Sequence, residues 1–557
     1  MELRFMWRSN QEIRKMENQF SFYFNIGLVK IHYSFQTQNM KRIFLLFAAS
    51  LSLIFLSPKT FSQQCADCRY VSPIFDSVTM ETIQFGRGTR ANGDTQELFM
   101  DIYQPYGDTM SNRPLAIFAF GGAFITGSRD DWYVKLVCEH LTRSGYVVAA
   151  IDYRIYDDIT QMVTEIFSAF PPQQMRIFFR PMQDMRGAVQ YFKADYSELG
   201  NSYRIDTSKI LIGGASSGAI TSLMTAYCDK DSEMAQMAGG SLAALNALGG
   251  FYSSSGFYPN YSWHAAGTFN VSGALINANW IEPGDVPVIC AHGDADQVVP
   301  YKKGGFAGLT LGTFDMEGSY LVDSVARSKG VCSYLYNMEG RDHPSESMGI
   351  EYFMSVVYRM MLRMKAVISN QSFCCALNVD ITPGDTLLYL PNAPVASTLT
   401  AVVTNDNGNA SIQWCTMPCS VTSSTNSITV TADSTLKYVA ATVSEGNCLS
   451  ADLHIVYDST QLTSLAEEID EINFFIYPQP ASSALNIVAD LSKSKTKSGV
   501  IELRNVFGQK VFEQSFYSLN QQLKTTIDVS TLPAANYLLS ISMRGLKVGS
   551  KRIMVTR

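Results

Sequence analysis

Lys209–Tyr227 reads KILIGGASSGAITSLMTAY, and its interpretation decides the fold. A short apolar run, KILI, leads into Gly214-Ala215-Ser216-Ser217-Gly218, a Gly-x-Ser-x-Gly core, and then into the helix-like AITSLMTAY. Such a strand–turn–helix puts a serine on a sharp, strained turn. The glycines on either side let strand and helix approach closely, and the hydroxyl is then expected to face solvent above the C-terminal edge of a sheet. The alternative is a small-residue turn with no chemistry. With 38 glycines in the chain, the pattern alone discriminates weakly, but no other serine has this spacing. The threonine of GLTLG (308–312) shares it and lacks a preceding apolar strand.

Around this core, strand-like and helix-like runs alternate from about 75 to 365. LAIFAF (115–120), YVVAAID (146–152), KILIGG (209–214), VPVICA (286–291) and VCSYLY (331–336) are continuously apolar, as suits central parallel strands covered on both faces. MDIYQP closes an early hairpin. DWYVKLVCEHLTRSG, MQDMRGAVQYFKAD and SESMGIEYFMSVVYRMMLRM carry helical patterns. The alternation predicts an α/β fold with a mostly parallel sheet, helices on both faces and right-handed crossovers.

A nucleophilic serine needs a base, and the base needs an orienting carboxylate, in the chain order Ser, acid, His for this arrangement. Of the six histidines, His343 follows VCSYLY and precedes a helix, so it is the expected base. His292 ends a strand just before the candidate acids and is read as shaping their loop. Asp294 and Asp296 in HGDADQVVP both satisfy the spacing for the acid, and Asp294 equally suits a turn former. IFAFGGAFITGS (117–128) supplies small residues where backbone amides must be exposed. The expected oxyanion donors are the N–H groups of Gly122, Ala123 and Ser217. A phosphate-binding reading of this loop fails, because the Lys-Ser/Thr ending and the G-x-G-x-x-G spacing are both missing. No metal or organic cofactor is required.

These segments resemble the α/β-hydrolase fold, and most closely its carboxylesterase/lipase branch. LFMDIYQP, LAIFAFGGAFITGS, VAAIDYRI, DMRGAVQYF, RIDTSKILIGGASSGA, PVICAHGDADQVVPY and GRDHPS keep that family's order over residues 75–365. The resemblance implies a serine ester hydrolase with the triad Ser216, His343 and Asp296, since the family's acid stands three residues after the Gly of HG-x-x-D. Phe120 and Ala123 depart from the family's His/Tyr-Gly-Gly-Gly-Phe. A serine peptidase of the same fold and a non-catalytic surface-binding protein are the rival functions.

Length and composition frame the rest. The 557 residues exceed one core, and a net charge of −7 with no basic arm gives no reason to expect a nucleic-acid partner. Met40–Gln64 has two cations, an apolar stretch from Ile43 to Leu56 and small residues near Ser62, the layout of a secretory signal peptide over 40–62. Translation is accordingly expected to start at Met40, with 1–39 a start-site artefact; a membrane-anchored N-terminus is the rival. The eleven cysteines fit an oxidising compartment, and zinc at Cys65/Cys68 is the weaker reading.

The catalytic block is expected over 63–370. From 371 to 462, Thr-, Ser- and Val-rich runs such as SITVTA predict a β-sandwich that resembles an immunoglobulin-like spacer. YPQPASSALNI, IELRNVFGQKV and IDVSTLPAANYLLSI…KRIMV in 465–557 resemble the C-terminal sorting domain of the type IX secretion system. That resemblance implies the type IX machinery as a partner and a secreted or cell-surface location. The Met- and Phe-rich segment 159–179 reads as a lid or as ordinary core helix and loop.

Overall fold

The structure is a computed structural model that describes residues 19–26, 29–36, 65–166, 168, 171–237, 240–305, 315–344, 350–382, 387–390, 396–417, 419, 422–431, 438–458, 474–491, 498–505, 510–517, 522–543 and 546–556. Two compact units divide the chain at Gln64. In the first, Gln19–Ile26 and Val29–Gln36 form an antiparallel hairpin. The expected signal peptide, and the expected boundary at 462–465, lie outside the described residues.

The second unit is built on an eight-stranded sheet. Its strands are β1 (Val78–Thr89), β2 (Thr95–Pro105), β3 (Arg113–Ala119), β4 (Val147–Ile151), β5 (Ile205–Ala215), β6 (Gly267–Val271), β7 (Val288–Gly293) and β8 (Ser333–Met338). Their spatial order is β8-β7-β6-β5-β3-β4-β2-β1. β3 to β8 run parallel, while β2 pairs antiparallel with both β1 and β4. This is the expected fold class. β3, β4 and β7 are buried along their whole length, which is why Leu115–Ala119, Val147–Ile151 and Val288–Ala291 within them read as apolar runs.

One central strand carries no such signal. β6 is GTFNV, also fully buried, and its polar Asn270 donates to Thr268 Oγ1 at 3.0 Å inside the sheet. A buried strand that carries polar side chains is invisible to hydropathy.

Helices α1 (Trp132–Arg143) and α6 (Ile350–Ile368) cover one face. They enclose Phe118, Ala215, Phe269 and Val271 together with Val137, Leu141, Val357 and Met360. α3 (Arg176–Glu198) and α4 (Ser217–Tyr227) pack together on the other face, and α5 (Ser319–Ser328) lies between β7 and β8 in the chain. The short helix α2 (Ile159–Ile166) falls in the segment read as lid or core, and Glu165 fastens it to α3 by accepting from Arg180 at 2.8 and 2.9 Å.

Two mostly antiparallel blocks follow. Residues 378–458 form a three-stranded and a five-stranded sheet with their own core around Trp414, Leu399 and Val439. The outer side of the five-stranded sheet is not free. Tyr438, Ala440, Leu453 and Ile455 join the core around the eight-stranded sheet, and Arg359 and Arg363 of α6 donate to the carbonyls of Leu453 and Ala451 at 3.0 and 3.1 Å. Disulfides Cys65–Cys419 and Cys68–Cys415 tie the start of this unit to the same sheet; Cys332–Cys374 and Cys375–Cys448 add two more ties. The four cysteines at 65, 68, 415 and 419 are therefore bridged rather than arranged around zinc. Residues 474–555 form three- and four-stranded sheets around Leu485, Ile501, Leu539 and Ile553.

The turn at Ser216 depends on the absence of side chains. A Cβ on Gly218 would stand 2.2 Å from Ala119 O and 2.4 Å from Phe120 O, and one on Gly214 would stand 2.5 Å from the Gly218 carbonyl carbon. The opposing atoms are backbone and cannot swing aside. Gly218→Ala is expected to lower the unfolding free energy by about 1–3 kcal/mol through overpacking, read as a lower denaturant midpoint at unchanged slope.

Candidate active site

Ser216 leaves β5 with φ 52° and ψ −119°, a left-handed conformation that costs an L-residue on the order of 1–3 kcal/mol. Its N–H donates to Val271 O at 2.9 Å, so β6 holds the turn from one side while α4 starts from the other. The serine is 9% exposed. The expectation of a hydroxyl facing open solvent is corrected here, because the hydroxyl meets a histidine and lies beside the loop that follows β3.

His343 Nε2 lies 3.0 Å from Ser216 Oγ, and His343 Nδ1 lies 2.7 Å from Asp296 Oδ2. Facing a carboxylate, Nδ1 carries the proton, which leaves Nε2 as the acceptor for the serine O–H. Asp296 is fully buried and accepts four donors. Val298 and Val299 N–H donate to Oδ1 at 2.8 and 2.9 Å, while His343 and His292 face Oδ2, the latter at 3.2 Å. His292 Nε2 also lies 3.2 Å from Val299 O. With two acceptors in front of it, that nitrogen bears its proton and donates.

Burial by itself pushes the Asp296 carboxyl up. The charge of His343 and the hydrogen bonds from both histidines overcome it and hold the carboxyl well below the usual range, so it stays ionised. For His343, burial acts downward, but the Asp296 charge and hydrogen bond, with Asp342 behind them, raise its pKa above the ordinary 6.5. Asp342 Oδ1 also accepts from the N–H groups of Gln297 and His343 at 2.9 and 2.7 Å, bracing the two loops against each other.

Spacing left Asp294 and Asp296 open as the acid. The structure puts Asp296 against the imidazole, while Asp294 accepts from Gly340 N–H at 2.7 Å and Asn337 Nδ2 at 3.2 Å. His292 was read as a loop former. Its ring is wholly buried between Asp296 and Ser319 Oγ, 2.8 Å from Nδ1, so it acts on the acid itself. Its place directly before Gly293 in HGDAD was the available signal.

The loop after β3 also approaches Ser216: a Cβ on Gly121 would lie 3.2 Å from Ser216 Cβ. Gly122, Ala123 and Phe124 all take positive φ, at 136°, 56° and 62°. Gly122 needs this freedom; Ala123 and Phe124 adopt it at about 1–2 kcal/mol each. Ile125 and Thr126 N–H donate to Gly122 O at 3.0 Å, and Tyr153 Oη donates to Phe120 O at 2.9 Å. Among the described residues, the amides of Gly122 and Ala123 donate to nothing, and Ser217 N–H stands at the open N-terminus of α4. Ser217 Oγ is occupied 3.0 Å from Tyr153 Oη. Among those residues no cluster of three or more His, Cys, Asp or Glu is placed to bind a metal.

Comparison with known proteins finds two family matches and several similar chains. Residues 100–247 match the BD-FAE family, and residues 475–556 match the Secretion system C-terminal sorting domain. Esterase 2 of Thermogutta terrifontis, in a form phosphorylated by paraoxon, is 17% identical with a TM-score of 0.32, covering 50% of this chain and 90% of that one. A truncated carbohydrate esterase from gut microbiota is 17% identical with a TM-score of 0.34, covering 51% and 96%. A stretch of 133 residues is 29% identical to the non-reducing polyketide synthase pkbA of Emericella nidulans. It amounts to 23% of this chain and spans only 5% of that synthase's length.

The raised His343 pKa sets the pH dependence of any reaction that uses it as a base. The base must be neutral, so kcat/KM is expected to rise with pH through an inflection above 6.5. Asp296→Asn removes the charge that raises it. The inflection is then expected to move to lower pH while the plateau rate falls, both read from one pH–rate series.

Proposed function

We propose that this chain, an α/β-hydrolase domain of the BD-FAE family joined to a C-terminal sorting domain, is an exported serine hydrolase of carboxylic esters. The observation that carries the reading is the unbroken line Ser216 Oγ, His343 Nε2, His343 Nδ1, Asp296 Oδ2, at 3.0 and 2.7 Å, on a serine held in a strained turn. Ser216 attacks the ester carbonyl as His343 takes its proton. Asp296 fixes the imidazole's tautomer and stabilises the imidazolium that forms. The carbonyl π pair moves onto oxygen, and the amides of Gly122, Ala123 and Ser217 receive it. Collapse of the tetrahedral adduct expels the alcohol, which takes the proton from His343. Water repeats the sequence to free the acid. Every proton moves within this set, so the reaction needs no cofactor.

Residues 63–370 are proposed as the catalytic domain, 371–462 as an immunoglobulin-like module and 465–557 as the sorting domain. The tail match supports passage through the type IX machinery to the cell surface or medium, with 40–62 as the signal for the first membrane. Bridging of Cys65, Cys68, Cys332, Cys374, Cys375, Cys415, Cys419 and Cys448 suits that oxidising route. A peptidase of the same fold would use the same triad, so the test must separate the two.

Full-length protein assayed on short-chain 4-nitrophenyl esters and on aminoacyl-4-nitroanilides is expected to cleave the esters only. Ser216→Ala is expected to reduce ester turnover by about 10⁴-fold or more. Anilide cleavage without ester cleavage supports the peptidase, and cleavage of neither overturns the catalytic reading. Deleting residues 475–557 in a host with type IX secretion is expected to retain the enzyme, still active, in the periplasm, read by fractionation.

A further inference from the structure

The amides assigned to the oxyanion share their surroundings with a side chain that the reaction just described leaves unused. Tyr133 is the second residue of α1, and its hydroxyl oxygen accepts the Gly121 N–H at 2.6 Å. Gly121 is the first glycine of the loop that carries Gly122 and Ala123. A Cβ placed on Gly121 would lie 3.2 Å from Ser216 Cβ, 3.1 Å from Ala215 O and 3.4 Å from Tyr133 Oη. The nucleophile's Cβ and the phenol oxygen therefore both border the point where a Gly121 side chain would begin, and glycine leaves that point free.

The phenol's own proton has no acceptor among the described residues. Burial raises the Tyr133 pKa far above neutrality, so the group remains an O–H donor throughout the working range. Its acceptor lone pair is taken by the Gly121 amide, which polarises the O–H and fixes the oxygen's position. What stands beside Ser216 is an oriented, unspent donor, held by the same peptide chain that presents the backbone amides.

We propose that Tyr133 is a catalytic residue whose hydroxyl donates a hydrogen bond to the substrate oxyanion, as a side-chain member of the oxyanion hole beside the amides of Gly122, Ala123 and Ser217. This rests on the ester-hydrolase reading above. As the Ser216 Oγ–carbon bond forms, the carbonyl π pair becomes an oxygen-centred charge, and the Tyr133 O–H donates a hydrogen bond to that charge without its proton being transferred. When the adduct collapses, the pair returns to the C=O bond and the donor is released. The contribution is made only where negative charge develops, so it acts on kcat rather than on substrate binding. A phenol donor from α1 also makes the hole depend on α1 as well as on the loop after β3.

Tyr133→Phe in the full chain keeps the ring and removes the donor. On a 4-nitrophenyl ester its kcat is expected to fall about 100-fold with KM nearly unchanged. On the matching thiono ester, whose C=S sulfur is a weak acceptor, the variant and wild type are expected to agree within about threefold. An equal loss on both esters, or a loss confined to KM, overturns the proposal, since a displaced loop would harm both substrates alike. If Tyr133→Phe fails to fold, 3,5-difluorotyrosine at position 133 decides instead. It keeps both hydrogen bonds but ionises nearer neutrality, so the oxo-ester rate is expected to fall on an alkaline limb that wild type lacks; absence of that limb overturns the proposal. Equal, background-level ester hydrolysis by wild type and Ser216→Ala would overturn the ester-hydrolase reading itself, a pattern that no change at Tyr133 produces.

Discussion

The approach of Gly218 to the end of β3 is the constraint from which the site follows. A side-chain carbon at Gly218 would stand 2.2 Å from the Ala119 carbonyl oxygen, so α4 starts against the sheet with no room between them. That proximity forces the chain between Ala215 and Ser217 through a left-handed residue, and Ser216 is that residue. It also brings the loop after β3 alongside the serine. Gly121 comes within a methyl's width of Ser216 Cβ, and the positive φ values at Gly122, Ala123 and Phe124 turn the peptide plane there. Strain at one place is supported by packing at another, since the neighbouring β6 backbone accepts the Ser216 N–H.

Electrostatics completes what the backbone begins. A buried carboxylate is costly unless its lone pairs are filled. Asp296 is buried and has four donors, two of them backbone amides of its own loop and two of them histidines. The charge is therefore stable where it sits, and it raises the affinity of His343 for a proton. Asp294, two residues earlier, instead accepts from Asn337 of β8 and Gly340 just beyond it. The difference between the two carboxylates is positional rather than chemical. A second buried pair does structural work nearby: Arg154, after β4, meets Asp184 of α3 at 2.9 Å and also reaches Gln183, Ser255 and the carbonyl of Arg180. That network anchors α3 under the loops around the serine.

Legibility in the sequence varied with how each element is buried. β3, β4 and β7 read clearly because both faces are covered and their central residues, Leu115–Ala119, Val147–Ile151 and Val288–Ala291, are apolar. β6 was missed, since Thr268 and Asn270 are polar, pair inside the sheet through one hydrogen bond and leave a polar-looking segment. The strands of the second block showed period-two patterning, but its docking on α6 did not show, because Arg359 and Arg363 make that contact through carbonyls of β-strand residues. Pairing of Cys65 and Cys68 with Cys419 and Cys415 joins positions more than 340 residues apart, a relation that spacing cannot express.

By itself the sequence determined the order of parts: a strand–Ser216–helix turn, a carboxylate loop after β7, a histidine loop after β8, and two β-rich blocks behind them. Those are local properties, fixed by hydropathy period, glycine placement and chain order. Which carboxylate faces His343, that His292 shares it, that Ser216 is nearly buried rather than open, and that the Tyr133 hydroxyl stands beside it were decided only by the tertiary structure. Each is a distance between groups on different strands and helices. Such distances come from how layers stack around β5, and no interval along the chain encodes them.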